Sequence, residues 1–336
     1  MIMMILDGSE AGGQFVRTAC ALSAITGKAI KIINIRGARP ETGLKIQHIG
    51  GIRALGELCG AEISGLEKGS RELEFVPREF REKDIAVNIS SAGSIGLVLQ
   101  ALLIAAIRFE KPVKIKFIGG GTWGKWAPPV LYLEKVLFPL MGCESSLAVD
   151  IKRDGFYPKG GADAEVVVKP FKLEHIEKTE KGKLLEINIF SIASESLKKA
   201  DVAERQASAA EEELKKKFSV PIMSDIKYVP SVSPGSGILV VGKYEHSLLG
   251  GDSIGELGKK AEAVGKEAAK NFLSETGAVD RHSADMLLPY MAFAGGTFAT
   301  GVITHHIVTN CSVIEKFLPV KFEIDREKNV VSARKV

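Results

Sequence analysis

The chain has 336 residues, longer than most single domains, so we expect one main domain and one smaller unit. Hydrophobic residues make up 45% and charged residues 26%, a composition that excludes an intrinsically disordered chain. The formal net charge of +4 permits a polyanionic partner without requiring one, and the four scattered cysteines indicate neither a zinc site nor a disulfide framework.

The chain begins with an apolar segment at residues 1–7 that runs into a glycine-rich loop. The segment has no basic start, so it predicts a buried first strand and not a signal peptide. The later apolar run at residues 97–107 is too short to span a bilayer. We therefore expect a cytoplasmic protein with no membrane partner, and a homo-oligomer is compatible with the sequence.

Strands and helices alternate along the rest of the chain. Apolar patterning predicts strands at residues 29–35, 113–118, 164–168, 184–190, 238–241 and 320–324. It predicts helices at residues 14–25, 46–58 and 94–107. This interleaving favours an α/β fold, in the broad sense that includes α+β, with a large domain of repeated strand and helix units.

The middle of the chain differs from the rest. After a strand, an amphipathic helix begins at Asp201, with Glu204 as its expected capping partner. A second long helix is predicted over residues 253–273. These elements predict a small inserted α/β domain. The expected division is a main domain at residues 1–183 and 278–336, with the insert at residues 184–277.

The glycine loop is the first candidate site. Gly12 and Gly13 precede a predicted helix, where consecutive backbone amides can bind an anion, although a plain tight turn would need the same glycines. Glu10 in this loop is suited to hold Mg²⁺ or Mn²⁺ beside a phosphate; alternatively it is a solvated loop acid.

Three arginines follow. Arg17 lies one turn into the first predicted helix, and Arg36 and Arg39 come directly after the strand at residues 29–35. Guanidinium groups bind phosphate oxygens in a bidentate manner, and α/β folds often bind ligands at strand ends. The cluster favours a phosphate site, with surface ion pairing as the alternative.

His306 lies in a stretch rich in glycine and threonine that is typical of a loop. Its imidazole can be a covalent nucleophile, a general base, a metal ligand or a structural hydrogen-bonding group. Asp285 lies in an apolar stretch, where a buried charge is costly unless it is paired. Asp285 could therefore orient His306 or bind a metal.

Several short motifs occur in a fixed order along the chain. They are the loop at residues 7–14, Arg36-Gly37-Ala38-Arg39 with Gln47-His48, residues 91–94 with Gln100, Gly120-Gly121-Thr122 with Ala127-Pro128-Pro129, Gly155-Phe156-Tyr157-Pro158, and Ala284-Asp285 through His306 to Asn310. In this order they resemble the RNA 3′-terminal phosphate cyclase family. The resemblance covers essentially the whole chain outside the middle segment.

The resemblance implies ATP-dependent conversion of an RNA 3′-phosphate into a 2′,3′-cyclic phosphate. In that family a histidine attacks the α-phosphate of ATP, AMP passes to the RNA 3′-phosphate, and the 2′-hydroxyl displaces AMP. His306 occupies the position of the family nucleophile, and His305 does not. The implied partners are ATP, an RNA with a 3′-phosphate end, and Mg²⁺ or Mn²⁺.

The resemblance also implies roles for individual residues. The phosphate and RNA-end group comprises Arg17, Arg36, Arg39, Gln47 and His48. The ATP group comprises Gln100, Pro128, Tyr132, His282, Asp285 and His306, with Pro128 and Tyr132 expected to pack against adenine. Glu10 is the implied metal contact. The implied fold has an insert that resembles the C-terminal domain of translation initiation factor 3.

The chain departs from the family pattern in a few places. The first loop is two residues shorter and has Ala11 for a glycine, and four other common residues are replaced, by Thr42, Ala162, His282 and Met286. None of these changes removes the nucleophile, so the sequence favours an active enzyme and leaves nucleotide preference and metal geometry open.

Two other functions remain open from the sequence. One is a non-catalytic cyclase-like factor for ribosome assembly or RNA processing, which would not need His306 together with the phosphate-binding group. The other is an enzyme like the enolpyruvyl transferases, which are also built from repeated α and β units and bind phosphate through arginines.

Overall fold

A computed structural model describes residues 2–125 and 127–336 of the chain. These residues form four mixed sheets of four strands each, covered by helices. The predicted α/β fold class is therefore confirmed.

The first sheet establishes a pattern that the chain repeats. Its elements are β1 (Met4–Asp7), α1 (Gly13–Thr26), β2 (Ile30–Ile33), α2 (Ile46–Cys59), β3 (Glu62–Ser64) and β4 (Leu73–Val76). The strand order is β1-β2-β4-β3, with β1 parallel to β2 and the other neighbours antiparallel. The predicted first strand at residues 1–7 corresponds to β1, and Met1 lies outside the described residues. The predicted burial is wrong except at Leu6, because Ile5 and Asp7 are exposed and Met4 is only partly buried.

The second sheet repeats this pattern. Its elements are β5 (Ile85–Ser94), α3 (Ile95–Ala105), β6 (Val113–Gly121), α4 (Val130–Tyr132), a π-helical turn (Leu133–Leu137), α5 (Phe138–Leu140), β7 (Leu147–Arg153) and β8 (Asp163–Val168). The order is β5-β6-β8-β7, again with a parallel first pair. Helix α3 is almost wholly apolar, and it is accordingly buried against α1 and α2.

A separate sheet then interrupts the third unit. After β9 (Ile176–Lys178) come β10 (Leu184–Ser194), α6 (Val202–Lys215), β11 (Ile222–Val229), β12 (Ser236–Tyr244), β13 (Leu248–Ile254) and α7 (Ala261–Leu273). The sheet order is β11-β10-β12-β13, and α6 and α7 pack on one face around their own hydrophobic core. The domain boundaries at residues 184 and 277 stay a prediction.

The third unit is completed after this segment. It comprises α8 (Arg281–Ala294), β14 (Gly296–Ala299), α9 (His305–Phe317), β15 (Val320–Asp325) and β16 (Val330–Lys335). The sheet order β9-β14-β16-β15 reproduces the parallel pair followed by antiparallel neighbours. Each unit thus places the start of a helix after a strand of its parallel pair, and α1 packs against α9.

Three other local predictions are wrong. The helix predicted over residues 253–273 begins only at Ala261, because Ser253 and Ile254 end strand β13 and residues 255–260 form a turn. Asp201 does not cap α6 through its side chain; it adopts a left-handed backbone, and the Glu204 carboxylate instead accepts a hydrogen bond from the Tyr228 hydroxyl. His306 lies in the first turn of α9 and not in a loop.

The helices of the described part of the chain are also informative about membranes. None of them combines the length and the apolarity that crossing a bilayer requires.

Candidate active site

A cavity of about 1150 Å³ opens where the three repeated units meet. Ten of the residues predicted for the site line it: Arg17, Arg36, Arg39, Gln47, His48, Gln100, Pro128, His282, Asp285 and His306. Two predicted residues, Glu10 and Tyr132, are not among its lining residues. The cavity therefore collects side chains that lie up to 289 residues apart in the chain, as Arg17 and His306 do.

His306 is half-buried in the first turn of α9, which Thr304 caps by accepting a hydrogen bond from the Ile307 amide at 3.1 Å. Its Nε2 atom lies 3.1 Å from Nη2 of Arg39. A guanidinium can only donate, so Nε2 accepts this bond and a neutral His306 carries its proton on Nδ1. The lone pair of Nε2 is therefore directed toward the cationic side of the cavity.

The charge state of His306 follows from its surroundings. Burial lowers the pKa of the imidazole, and the positive charges of Arg39 and Arg17 lower it further. The positive end of α9 acts in the same direction. His306 is accordingly neutral at neutral pH, the form in which an imidazole is a nucleophile.

His305 is directed elsewhere. Its Nε2 atom is 2.7 Å from the backbone carbonyl oxygen of Glu10, to which it donates a hydrogen bond. Gly12 provides the space beside His306, because a Cβ atom at this position would lie 3.2 Å from Cε1 of His306 and 3.3 Å from Nη2 of Arg39. His305 thus contacts the backbone of the glycine loop, whereas His306 faces Arg39 in the cavity.

Arg17 is a buried cation. Its Nη2 atom donates to Oε1 of Gln100 at 3.3 Å, and within residues 2–125 and 127–336 it has no carboxylate at ion-pair distance. Burial, with the repulsion of Arg36, lowers the pKa of Arg17 to about 10, so the side chain remains charged. A buried guanidinium that has an amide partner but no carboxylate at ion-pair distance favours the binding of an anion.

Arg36 is held in an unusual backbone conformation. Its φ angle is +59°, a left-handed conformation that is costly for residues other than glycine. Its Nε atom is buried and has no hydrogen-bond partner among the described residues. Both features are typical of a side chain that is held in position for a ligand.

His48 is a neutral hydrogen-bond donor. The Lys45 amide donates to its Nδ1 atom at 3.1 Å, so the proton of the neutral ring lies on Nε2. Burial and the nearby charges of Arg17 and Arg36 hold the pKa of His48 well below its ordinary value. Nε2 faces Gly13, where an added Cβ atom would approach it to 2.2 Å, so the start of α1 needs a glycine at this position.

Asp285 joins three helices beneath the site. Its carboxylate accepts a hydrogen bond from Thr304 at 2.9 Å, and its carbonyl oxygen accepts one from Asn310 at 3.1 Å. Asn310 in turn accepts a bond from Thr18 at 2.9 Å. Burial raises the pKa of Asp285 to about 7. Asp285 therefore contacts the cap of the helix that carries His306 and not the imidazole itself.

Tyr132 supports the cavity wall from behind. Its ring is fully buried, and its edge meets the His282 ring at a centroid distance of 5.8 Å. Its hydroxyl lies 2.5 Å from the carboxylate of Asp280, which also accepts a bond from the Gly250 amide at 2.8 Å. His282 lines the cavity instead, with Nε2 3.7 Å from a carboxylate oxygen of Asp252 in β13.

Comparison with known sequences decides the family. A family model described as RNA 3′-terminal phosphate cyclase matches residues 8–324. This chain belongs to the RNA 3′-terminal phosphate cyclase family. The predicted family membership is therefore confirmed, and the enolpyruvyl-transferase alternative is not supported.

Curated relatives agree with this assignment over nearly the full length. The RNA 3′-terminal phosphate cyclase of Pyrococcus abyssi (strain GE5 / Orsay) is 44% identical over 332 residues, which cover 97% of this chain and 96% of that protein. The cyclase of Pyrococcus furiosus (strain ATCC 43587 / DSM 3638 / JCM 8422 / Vc1) is 44% identical over 331 residues, 96% and 95% of the two chains. That of Hyperthermus butylicus (strain DSM 5456 / JCM 9403 / PLM1-5) is 42% identical over 338 residues, 94% and 92%.

The cavity of this cyclase family member includes residues that the sequence did not single out. Lys45, Lys68, Arg281 and Tyr157 also line it. Lys45 is paired with Glu41, and Arg281 lies 2.5 Å from a carboxylate oxygen of Glu275. Two of these residues could have been found from their positions in the sequence. Lys45 lies shortly before Gln47-His48, and Tyr157 lies inside the motif Gly155-Phe156-Tyr157-Pro158.

Glu10 is exposed on the glycine loop of the cyclase fold. No cluster of three or more histidine, cysteine, aspartate or glutamate side chains able to hold a metal ion occurs in the part of the chain that the structure describes. A magnesium ion that arrives with a nucleotide takes most of its ligands from phosphates and water, and needs one or two protein carboxylates. Glu10 therefore fits a metal carried by the nucleotide better than a resident metal.

Proposed function

We propose that this protein converts an RNA 3′-terminal phosphate into a 2′,3′-cyclic phosphate at the expense of ATP, through a covalent His306–AMP intermediate and an RNA-adenylate intermediate. The observation that carries the proposal is the neutral imidazole of His306, whose Nε2 lone pair faces Arg39 at 3.1 Å. A nucleophile with a depressed pKa inside a cationic cavity suits attack on a phosphate ester.

The first step forms a bond between His306 Nε2 and the α-phosphorus of ATP. The bond from this phosphorus to the bridging oxygen breaks, and pyrophosphate leaves with the electron pair. Nδ1 keeps its proton throughout. Arg39 donates to Nε2 in the free protein, and the same N–H group is close enough to donate to an α-phosphate oxygen once Nε2 is bonded to phosphorus.

In the second step an oxygen of the RNA 3′-phosphate attacks the adenylyl phosphorus, and the P–N bond to His306 breaks. The RNA phosphate is bound by Arg17, Arg36, Arg39, Gln47 and His48. The charges of Arg17 and Arg36 offset the negative charge, and the neutral His48 donates through Nε2. An uncharged donor at His48 avoids adding another positive charge beside Arg17.

In the third step the 2′-hydroxyl oxygen attacks the phosphorus of the 3′-phosphate and the bond from this phosphorus to the bridging oxygen breaks. AMP leaves with the electron pair, and the hydroxyl proton passes to the departing AMP phosphate or to water. The product is the cyclic phosphodiester.

The positions of Pro128 and His282 on the cavity wall support a role for both in ATP binding, with Gln100 and Asp285 beside them. Tyr132 contributes indirectly, through its edge contact with His282.

The metal contact is part of the proposal. Glu10 would supply a carboxylate to Mg²⁺ or Mn²⁺ bound by the ATP phosphates. A bound divalent ion supplies positive charge that neutralises phosphate oxygens. We also propose that residues 184–277 form the inserted domain and that the protein acts in the cytoplasm.

Conversion of a labelled RNA end tests the proposal. An RNA whose 3′-terminal phosphate is radiolabelled is incubated with the protein, ATP and Mg²⁺, and is then treated with a phosphatase. The expected result is a label that becomes resistant to phosphatase only when ATP is present, with AMP and pyrophosphate as the other products. RNA binding without any conversion would instead favour the non-catalytic cyclase-like factor.

A further inference from the structure

We propose that the ring of Tyr157 stacks on the base of the 3′-terminal nucleotide of the RNA substrate. The inference rests on the proposed function for the identity of the ligand, because the base arrives with the RNA phosphate. Tyr157 lines the mouth of the cavity, yet 81% of its surface is exposed to solvent. None of the roles proposed so far uses this ring.

The fold does not need the Tyr157 ring. Among the described residues its hydroxyl has no hydrogen-bond partner, and most of the ring contacts solvent. Tyr132 and Tyr290, in contrast, are almost fully buried and belong to the hydrophobic core. An exposed aromatic ring at the mouth of a phosphate cavity therefore remains available to a ligand that has both an apolar face and a phosphate.

The backbone beneath the ring is firmly held. Tyr157 lies in a short turn that is closed by the hydrogen bond from the Gly160 amide to the Phe156 carbonyl at 2.8 Å. Phe156 is buried, and a Cβ atom added to Gly235 would lie 2.2 Å from its ring. With the backbone held, the freedom lost on binding is limited to the two side-chain torsions of the tyrosine, a low cost for an aromatic contact.

The turn also lies next to the RNA-end residues. A Cβ atom on Gly160 would lie 2.6 Å from the carbonyl oxygen of Ser91 and 2.9 Å from Cα of Ala92. One residue further along, a Cβ atom on Gly93 would lie 3.5 Å from Cβ of Gln47. The turn therefore packs on the loop at residues 91–93, and this loop packs on Gln47, so a 3′-phosphate bound at Gln47 places its own base close to Tyr157.

The chemistry of the rim fits this ligand. Lys68 lies on the cavity lining with Tyr157 and can pair with a phosphate further from the 3′ end. Stacking on a tyrosine accepts any base, because each base has an aromatic face. The end of an RNA chain would thus be recognised by its phosphate and its flat base, and not by its sequence.

Equilibrium binding tests the proposal without any turnover. The probes are a short fluorescent RNA with a 3′-phosphate and the same RNA with an abasic 3′-terminal nucleotide. Y157A is expected to bind the normal RNA about 10-fold more weakly than the wild type, whereas Y157F and Y157W bind it within about 3-fold. The wild type should discriminate against the abasic RNA, and Y157A should not.

The control is L257A. Leu257 is also an exposed apolar side chain but is not on the cavity, so this variant should bind both RNAs like the wild type. Equal binding of the normal RNA by Y157A and the wild type would overturn the proposal, and so would a loss in Y157A that is the same for both RNAs.

The rival occupant is the adenine of ATP. If Y157A loses ATP affinity by as much as it loses RNA affinity, the ring belongs to adenine and the proposal is wrong. These binding results are independent of the proposed chemistry. A wild-type protein that discriminates against the abasic RNA but forms no cyclic phosphate would refute the proposed function and support the role of Tyr157.

Discussion

Nη2 of Arg39 lies 3.1 Å from Nε2 of His306, so the nitrogen proposed to attack ATP is hydrogen-bonded to a permanently charged side chain. This contact lowers the pKa of His306 and holds its lone pair toward the phosphate cavity. The contact joins the first repeated unit to the third, because Arg39 follows β2 and His306 is the second residue of α9.

Arg39→Ala is expected to reduce adenylylation of the protein by about 100-fold, because the variant loses a cationic donor beside the reacting phosphate. The pKa of His306 should also rise toward its ordinary value, so more of the imidazole is protonated at a given pH. The acid limb of the rate profile should therefore move to higher pH. Measurement of the rate between pH 5 and pH 8 checks both effects, and an acid limb at the wild-type pH would contradict the account.

Gly13→Ala is expected to disturb the phosphate site through His48. The new Cβ atom would lie 2.2 Å from Nε2 of this buried ring, so the ring or the loop must move, at a cost of about 1–3 kcal/mol. Gly50→Ala is the matched control, since its Cβ atom would meet the Val87, Ile89 and Val98 side chains at 3.7 Å or more and should stabilise α2 by about 0.5–1 kcal/mol. Urea denaturation compares the two variants, and equal stabilities would argue against the contact.

Tyr132→Phe is expected to affect stability more than ATP binding. The change removes a buried hydroxyl that lies 2.5 Å from Asp280 and 2.6 Å from Ser283, and should lower the free energy of unfolding by about 1–2 kcal/mol. Tyr290→Phe is the control, because the Tyr290 side chain is also buried in the core but its hydroxyl has no hydrogen-bond partner within residues 2–125 and 127–336. A large loss of ATP affinity without a loss of stability would instead support direct packing of Tyr132 against adenine.

Asp285 should make stability depend on pH. Its pKa in the fold is about 7, above the ordinary value of about 4 that it has in the unfolded chain. Between these values the folded state keeps a proton that the unfolded state releases, so the free energy of unfolding should fall as pH rises from about 4 to 7. Above pH 7 the effect is complete. Denaturation curves of the wild type and Asp285→Asn should diverge in this window, and parallel curves would contradict the raised pKa.

The order of the motifs allowed much of the cavity to be predicted. Arg36, Arg39, Gln47 and His48 lie close together in the chain, and His306 reaches them because the first and third units pack against each other. The fold class followed from the alternation of strands and helices. The strict repetition of three units did not, since β3 and β9 have only three residues each and are too short to show a period.

Other features depend on contacts that sequence patterns do not contain. The sequence predicts a loop around His306 because glycine and threonine precede it, whereas Thr304 is the cap of helix α9. The packing of Tyr132 depends on Asp280, which lies 148 residues away, so nothing local distinguishes it from a ring that contacts ligand. The predicted start of the second long helix overlaps the last two residues of β13, because the pairing of β13 with β12 exists only in three dimensions.

The most direct test of the account is the intact mass of the protein after incubation with ATP and Mg²⁺ or Mn²⁺. The wild type should gain one acid-labile adenylyl group, which peptide mapping should locate on His306. His305→Ala should gain the same group, because His305 donates to the Glu10 carbonyl and does not face the cavity, and His306→Ala should gain none. An unmodified wild-type protein, or a His306→Ala variant that is adenylylated at the wild-type rate, would contradict the central claim.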